Sequence, residues 1–359
     1  MVAFRALADI LGCRHSWLPY TWLPYTRLIA GFLWMRTEEQ YSRSSNHFTR
    51  LFTERIVDEQ ERSYFNKHMS KAKILIQLDT DEKASVFDAV VAIDSGVDHL
   101  LQYSGVRPED VRGLVHGAMY TRGPADLMST AIFVGGSDVG QGEALAAAAR
   151  RELFDPFRVS IMLDSNGSNS TAAAAVLSAA KHVPLPGSKA LVLAATGAVG
   201  QRVCQILASA GCDVLVASRT LERSQACVIS LAAKGVPSAR LSAVCSSNLE
   251  SMNHALRASA LLFGCGAAGA NLLSAEQLAQ ATSLRVAIDL NAVPPMGIEG
   301  IELMDRGTQR GDLLCYGALG VGGLKMKIHK ASIATLFESN RHFLDCQEML
   351  AIGQRILSS

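Results

Sequence analysis

Apolar residues follow two alternating spacings from about residue 69 onward. Short continuous apolar runs, of the length of buried strands, are separated by Ala-rich segments in which apolar residues recur every three to four positions. This alternation is typical of βα units stacked around a parallel sheet. In the first half it predicts strands at 74–78, 113–119, 131–135 and 159–163, and helices at 86–93, at 143–153 and from about residue 169.

A domain boundary is predicted at residues 183–187, Val-Pro-Leu-Pro-Gly, because two prolines and a glycine interrupt regular structure. Directly after it, the apolar run 189–195 predicts a buried strand and residues 201–210 predict an amphipathic helix. The predicted fold class is therefore α/β, with two βα domains, of which the C-terminal one is a Rossmann-like doubly wound parallel sheet. We expect a substrate domain at 69–183, a nucleotide-binding domain at 184–316, and C-terminal helices at 317–359 that return to the substrate cleft.

Residues 1–68 differ from the rest of the chain. They hold all three tryptophans and a tandem Trp-Leu-Pro-Tyr-Thr repeat at 17–26, but few glycines. Three interpretations stay open: Met69 is the natural start and the segment is an upstream translation, or it is a poorly packed extension, or it is a partner-binding tail. We assign no chemistry to it.

Charge and cysteine content narrow the class of protein. With 34 basic and 33 acidic side chains the net charge is +1, so no global field favours nucleic acid or an anionic membrane. The eight cysteines form no C-x-x-C pair, which indicates a reducing compartment and no zinc site. No apolar run is long enough to span a membrane. We expect a cytoplasmic protein without a nucleic-acid or membrane partner, and no metal.

A small-residue turn follows the predicted strand 189–195 and precedes a helix, which is the order that a dinucleotide site needs. In such a turn the backbone approaches the pyrophosphate, and the helix N-terminus faces the phosphates. Ala195 occupies the position of the first glycine, so the match is degenerate. The cofactor-binding residues predicted in this turn are Thr196, Gly197, Ala198, Val199 and Gly200.

A second predicted strand, 213–218, ends where an NAD-specific site places an acidic residue for the ribose hydroxyls. This chain instead has Ser218 and Arg219, with Arg223 four residues on. Hydroxyl and guanidinium donors suit a 2′-phosphate, so NADP is predicted in preference to NAD. The alternative is that both arginines are solvated charges at the start of a helix.

Two later strand ends are expected to complete the crevice, because ligands of open parallel sheets lie at the carboxyl ends of strands. The run 261–263 leads into Gly264, and the run 286–289 leads to Asn291. Small residues after Phe263 leave space for a nicotinamide ribose, although a tight turn without a ligand explains that stretch equally well. Gly264 and Asn291 are predicted cofactor-binding residues.

Several further runs, among them Asp-Ser-Asn-Gly-Ser-Asn at 164–169 and Gly-Gly-Leu-Lys-Met-Lys at 322–327, give a more specific pattern. From residue 69 to the C-terminal helix the chain resembles the bacterial methylene-tetrahydromethanopterin dehydrogenases. The resemblance implies oxidation of N5,N10-methylene-tetrahydromethanopterin to the methenyl form with reduction of NADP or NAD, a step in formaldehyde oxidation, by a homo-oligomer. Some members also use methylene-tetrahydrofolate. The family turn usually reads Gly-Thr-Gly-Pro-Val-Gly, from which Ala195 and Ala198 depart.

The resemblance also implies roles at the pterin. Lys325, in a predicted loop entering the last helix, is the expected catalytic residue and orients the pterin rather than transferring protons. Phe87 is expected to stack on a ring, Asp88 to accept from the exocyclic amine, and Asn169 and Thr171 to line the cleft. Ordinary structural roles stay open for these four: a core phenylalanine, a helix-opening aspartate and helix caps.

Other functions compete with this interpretation. A methylene-tetrahydrofolate dehydrogenase shares the two-domain design, as does shikimate dehydrogenase, whose paired lysine and aspartate pattern is not found here. A non-catalytic NADP-binding sensor is a third possibility, which Ala195 and the unusual N-terminal segment favour and the Lys325 region disfavours.

Overall fold

The computed structural model describes residues 71–358, so the predicted N-terminal extension lies outside the described residues. The described residues belong to one unit of the chain. Within it, two sheets are flanked by helices. No helix of the described part is long and apolar enough to cross a membrane.

The first sheet is entirely parallel, with the strand order β12-β4-β3-β1-β2. Its inner strands read as continuous apolar runs because both faces are covered. Leu75 pairs with Leu100 on one side and with Ala131 on the other. The strands are β1 (Ile74–Asp79), β2 (His99–Tyr103), β3 (Thr130–Gly135), β4 (Ser160–Leu163) and β12 (Phe343–Leu344).

The second sheet has the order β10-β11-β9-β8-β5-β6-β7 and is parallel except for the edge strand β10. Numbered from β5, the first six parallel strands follow the order 3-2-1-4-5-6 of a Rossmann sheet, with the switch point between β5 and β8. The predicted fold class is confirmed. The strands are β5 (Lys189–Leu193), β6 (Asp213–Ser218), β7 (Leu241–Cys245), β8 (Leu261–Gly264), β9 (Val286–Asp289), β10 (Arg306–Arg310) and β11 (Leu313–Tyr316).

Ten α-helices belong to the described residues. Five of them begin at a capping side chain: Ser85, Asp138, Thr220, Asn248 and Ser274 each accept from a backbone N–H of the first turn. The helices are α1 (Val86–Asp94), α2 (Val111–Tyr120), α3 (Val139–Arg151), α4 (Ser168–Ala180), α5 (Ala198–Ser209), α6 (Leu221–Ala233), α7 (Leu249–Ala258), α8 (Ala275–Ala279), α9 (Ala318–Thr335) and α10 (Cys346–Ser358).

Helix α4 lies between the two sheets and packs against α5, α9 and α10. Its residues 172–179 are buried around the whole circumference, and five of them are alanines. Small side chains allow close approach of the neighbouring helices, so one hydrophobic core contains residues of both sheets, including Leu75 and Ile288. This central layer brings α9, from the C-terminal part of the chain, to the first sheet.

Two local predictions are wrong. Residues 113–119 form part of helix α2 rather than a strand, because Val111, Val115, Ala118 and Met119 recur at helical spacing and bury one face. Gly113 and its neighbours made the helical spacing of these apolar residues hard to recognise in the sequence. Lys325 lies within helix α9 and not in a loop, and the last helix is α10.

Candidate active site

The first cavity lies at the carboxyl ends of β1, β3 and β4, beside helices α1, α4 and α9. Its volume is about 310 Å³. Of the residues predicted for the pterin, four line it, because the ends of parallel strands meet at one edge of a sheet. The lining residues are Asp81, Ser85, Phe87, Asp88, Gly136, Ser137, Asn166, Gly167, Thr171 and Lys325.

The turn between β4 and α4 gives this cavity its floor. Asn166 (φ 53°) and Gly167 (φ 58°) both adopt the left-handed conformation, which glycine and asparagine tolerate best. Asp164 precedes the turn, and its Oδ1 accepts from the N–H groups of Asn169 and Ser170, at 2.9 and 3.1 Å. The Asp-Ser-Asn-Gly-Ser-Asn run therefore encodes a helix start that turns its backbone toward the cavity.

Lys325 approaches this turn from helix α9. A Cβ placed on Gly167 would lie 3.2 Å from Lys325 Nζ, so the absence of a side chain there gives the ammonium its space. The same Nζ lies 4.9 Å from the centre of the Phe87 ring, within the range of a cation–π interaction. Phe87 itself is 54% exposed, which leaves much of its ring free for a ligand.

Asp88 lies in the first turn of α1 and interacts electrostatically with Lys325. Burial raises the pKa of its carboxyl above the ordinary value, while the positive charge of His329 and the hydrogen bond with Ser85 oppose that rise. The carboxylate is therefore desolvated, which strengthens hydrogen bonds that it accepts.

Asn169 and Thr171 are placed differently. Asn169 is buried and does not line the cavity: its amide donates to the carbonyl of Leu163 at 2.6 Å and accepts from Arg202 Nε at 3.0 Å. It thus ties α4 to α5. Thr171 lines the cavity, and its hydroxyl donates to the Gly167 carbonyl at 2.6 Å.

The second cavity lies at the carboxyl ends of β5, β6, β7 and β8 and has a volume of about 580 Å³. This is the crevice that the topology of the second sheet defines at its switch point. The lining residues are Ala194, Thr196, Gly197, Ser218, Arg219, Arg223, Ser246, Ser247, Cys265, Gly266, Ala267, Ala270, Asn271 and Leu272.

The turn after β5 brings backbone to this cavity. Ala194 has φ +50°, a conformation that costs an L-residue roughly 1–2 kcal/mol. Gly197 begins α5 without a side-chain cap, so N–H groups of the first turn have no helical acceptor. A Cβ on Gly200 would lie 2.7 Å from the Ala195 Cα, which shows why the last glycine of the turn is needed for helix–strand packing.

Arg219 and Arg223 both line the second cavity. Within residues 71–358 no carboxylate forms an ion pair with either guanidinium. The Ser247 hydroxyl donates to the Arg219 carbonyl at 2.7 Å, which joins the ends of β6 and β7. Two unpaired cations beside three serines suit an anionic ligand group.

Five predicted cofactor residues lie apart from the lining. Ala198 and Val199 belong to the first turn of α5. Gly264 ends β8 below the cavity, where a Cβ would lie 3.1 Å from Ile298 Cδ1, and Cys265 lines the cavity instead. Asn291 is buried, and its side chain donates to the Pro295 carbonyl and accepts from the Val293 N–H. Gly200, as described above, packs under the turn.

Sequence reasoning missed several lining residues. Ser246 and Ser247 follow strand β7, whose alternating pattern was not recognised as a strand. Gly136 follows β3 with φ +102°, and a side chain there would collide with Thr80. His329 does not line the cavity, and the sequence alone favours a structural role for a lone histidine, although His329 interacts electrostatically with Asp88. Strand ends at the carboxyl edge were the signal for the serines and the glycine.

The fold and the two cavities define an α/β protein with two sheets, a Rossmann-type crevice at the second sheet and a separate polar cavity at the edge of the first. Comparison with known proteins is more specific. Residues 86–166 match the family described as "Methylene-tetrahydromethanopterin dehydrogenase, N-terminal". "Bifunctional protein MdtA" of Methylorubrum extorquens is 42% identical over 290 residues, which are 80% of this chain and 100% of that protein.

A second relative of the same organism, "NAD(P)-dependent methylenetetrahydromethanopterin dehydrogenase", is 30% identical over 290 residues, 79% of this chain and 95% of that protein. The chain belongs to the methylene-tetrahydromethanopterin dehydrogenase family. Among solved structures, shikimate 5-dehydrogenase from Listeria monocytogenes matches with 14% identity and a TM-score of 0.46, over 80% of this chain and 96% of that one.

Proposed function

We propose that the protein oxidises N5,N10-methylene-tetrahydromethanopterin to the methenyl form by hydride transfer to NADP. One observation carries the proposal: a chain of this family presents Lys325, Phe87 and Asp88 at one cavity and a dinucleotide-type turn with unpaired arginines at another. Residues 69–183 then hold the pterin, residues 184–316 hold the cofactor, and α9 carries Lys325 back to the pterin.

The cofactor site takes the pyrophosphate at the N-terminus of α5, where uncapped N–H groups and the helix dipole favour an anion. Arg219 and Arg223 take the 2′-phosphate, assisted by the hydroxyl of Ser218. The alternative of solvated surface arginines is less favoured, because both line the cavity together with Ser246 and Ser247. NAD lacks that phosphate and is expected to bind more weakly.

The pterin site uses the exposed ring face of Phe87 for stacking and the desolvated Asp88 carboxylate to accept from the pterin amine and ring N–H. Thr171 lies on the same wall. The assignment of Asn169 to substrate is not retained in the proposal, because its side chain is fully engaged with Leu163 and Arg202.

The reaction needs positioning more than acid–base chemistry. The methylene carbon loses hydride to C4 of the nicotinamide, and the lone pairs of the two flanking nitrogens stabilise the resulting cation. No proton is transferred at that carbon, so the rate depends on holding the two reacting carbons together and excluding water. NADP supplies the hydride acceptor when bound.

Lys325 is proposed to orient the pterin through its ammonium group. A second cation near the forming methenyl cation is unfavourable by itself. The carboxylates of Asp88 and Asp164 lie close enough to Lys325 to interact with it electrostatically, and they offset this charge.

Four assays test the proposed function. The full chain is mixed with methylene-tetrahydromethanopterin or methylene-tetrahydrofolate, each with NADP and with NAD, and reduced nicotinamide is followed by absorbance. Fastest turnover with the methanopterin substrate and NADP supports the proposal. Turnover with the folate substrate alone would reassign the carrier, and NADP binding without any turnover would favour a sensor.

We also propose that the protein works as a cytoplasmic homo-oligomer. Helix α1 and the edge strand β2 expose a set of large apolar side chains that a second copy would cover. Light scattering after size-exclusion chromatography should give a mass of at least two chains, and a monomer would contradict the proposal. The set comprises Val86, Val90, Ile93, Leu101 and Tyr103.

A further inference from the structure

A buried histidine on helix α9 has no part in the function described so far. His329 lies one helical turn after Lys325 and is completely buried, as is its partner Asp164. His329 Nδ1 lies 2.7 Å from Asp164 Oδ2. Burial alone would raise the pKa of Asp164, but the hydrogen bond and charge of His329 outweigh it and lower that pKa. Asp164 is thus a carboxylate, and Nδ1 donates to it.

The second ring nitrogen of His329, Nε2, is buried and has no hydrogen-bond partner among the described residues. An unsatisfied buried polar atom costs about 1–3 kcal/mol, and native structures contain few of them. Phe133 meets the imidazole edge-on at a ring distance of 5.9 Å, so the ring is fixed between a carboxylate and an aromatic side chain.

Two carboxylates interact electrostatically with this imidazole: Asp164 at the end of β4 and Asp88 on α1. Lys325, one turn earlier on α9, interacts with the same two carboxylates. His329 also contacts Phe133 of β3. At the end of β3, Asp88 Oδ2 is 3.6 Å from the Cβ position of Gly135, and Oδ2 of Asp79 from β1 is 3.4 Å from it. The imidazole therefore connects the residue proposed to accept from the pterin with the residue proposed to orient it.

We propose that His329, held by Asp164, is a positioning residue of the first cavity that anchors the helix turn carrying Lys325 and places positive charge behind the Asp88 carboxylate. Helix α9 then meets the β4–α4 turn at two points, with Lys325 against Gly167 and His329 on Asp164. The consequence for the pterin rests on the proposed function, whereas the coupling between His329 and Asp88 does not.

The coupling is tested by ¹³C NMR of the Asp88 carboxyl, assigned with Asp88→Asn. The variant His329→Asn keeps an N–H donor for Asp164 but cannot carry a charge. We expect the Asp88 titration to move to higher pH in this variant, because a neighbouring positive charge favours the carboxylate. The matched control is His116→Asn. His116 lies on α2, and its Nε2 is 3.1 Å from Glu152 Oε2, so we expect the Asp88 titration to stay unchanged in this variant.

Kinetics provide the second readout. In His329→Asn we expect the KM for methylene-tetrahydromethanopterin to rise several-fold, and more at pH 6 than at pH 8, because protonation removes the Asp88 acceptor. The Kd of NADP should stay unchanged. A purely structural histidine would instead lower Tm without a pH-dependent change in KM.

The outcomes are separable. An unmoved Asp88 titration in folded His329→Asn overturns the inference, whatever the substrate is. A moved titration without any turnover by the wild-type protein supports the inference and overturns the proposed function. If His329→Asn does not fold, the Asp88 titration is measured in His329→Gln instead, and an unmoved Asp88 titration in that variant overturns the inference.

Discussion

At the scale of single residues, Arg219 should decide which nicotinamide cofactor the protein prefers. Its guanidinium lines the second cavity and has no ion-pair partner among residues 71–358. Hydrogen bonds to a charged group contribute about 1.5–3 kcal/mol, so Arg219→Asp should raise the KM for NADP roughly tenfold to hundredfold. The KM for NAD should fall or stay constant.

Arg285 gives the matched control for this charge reversal. It is exposed and precedes β9, at the opposite edge of the second sheet from the cavity. Arg285→Asp changes the net charge equally but should leave both KM values within about twofold. Equal losses for NADP and NAD in Arg219→Asp would contradict the assignment of the 2′-phosphate.

Ala194 is a second residue with a definite consequence, because it holds φ +50° without being glycine. Ala194→Gly should increase the free energy of unfolding by roughly 0.5–1 kcal/mol, since glycine adopts this conformation without steric cost. Denaturant unfolding measures the change. The same substitution at exposed Ala226, inside helix α6, should instead lower it by about 1 kcal/mol. A destabilised Ala194→Gly protein would show that the Ala194 methyl contacts outweigh its backbone strain.

At the scale of elements, the contact between α5 and β5 depends on Gly200. A Cβ there would lie 2.7 Å from Ala195 Cα and 2.9 Å from the Ala194 carbonyl oxygen, so backbone must move. Gly200→Ala should cost roughly 1–3 kcal/mol of stability and weaken NADP binding measured by fluorescence titration. Gly323→Ala in α9 meets nothing within 4 Å and should be neutral or stabilising. Wild-type NADP affinity in Gly200→Ala would contradict the proposed approach of this turn to the cofactor.

The start of α10 should show a pH dependence. Burial, followed by the hydrogen bond with Glu348, raises the pKa of Asp345 to about 7. The folded protein therefore keeps a proton that the unfolded chain, with an aspartate pKa of about 3.9, has lost, so this group reduces stability as pH rises from about 4 to 7. Asp345→Asn should raise Tm relative to wild type more at pH 8 than at pH 5.

Differential scanning calorimetry at the two pH values measures this effect. Asp312→Asn, at an exposed hairpin position, removes the same charge outside the helix start and is the control. A Tm difference between Asp345→Asn and wild type that is equal at both pH values would contradict the account of Asp345.

At the scale of the whole molecule, the parallel sheets were predictable because their strands are buried on both faces and read as continuous apolar runs. Exposed elements gave no such signal. Strand β2 (His99–Tyr103) is mostly exposed. Helix α2 contains Gly113 and Gly117, which interrupt the helical spacing of its apolar residues. Local pattern therefore located the core of each sheet but not the edges.

The cofactor residues were predictable where they follow a strand end directly in sequence, whereas the pterin residues were predicted from the family resemblance. Phe87, Asp88 and Lys325 line one cavity, although Lys325 lies 237 positions after Asp88 in the sequence. His329 was not predictable, because its meaning depends on Asp164, which lies 165 residues away in the chain. Asn169 was predicted to contact the substrate but instead accepts from Arg202. Local sequence could not show this, because Arg202 belongs to the second half of the chain.

The central claim is direct hydride transfer between ligands of the two cavities. The test is a single turnover with methylene-tetrahydromethanopterin deuterated at the methylene carbon and NADP, followed by NMR of the reduced cofactor. We expect deuterium at C4 of the nicotinamide, on one face only, because the protein fixes the geometry of transfer. Deuterium released to water, or reduced cofactor without deuterium, would contradict the account.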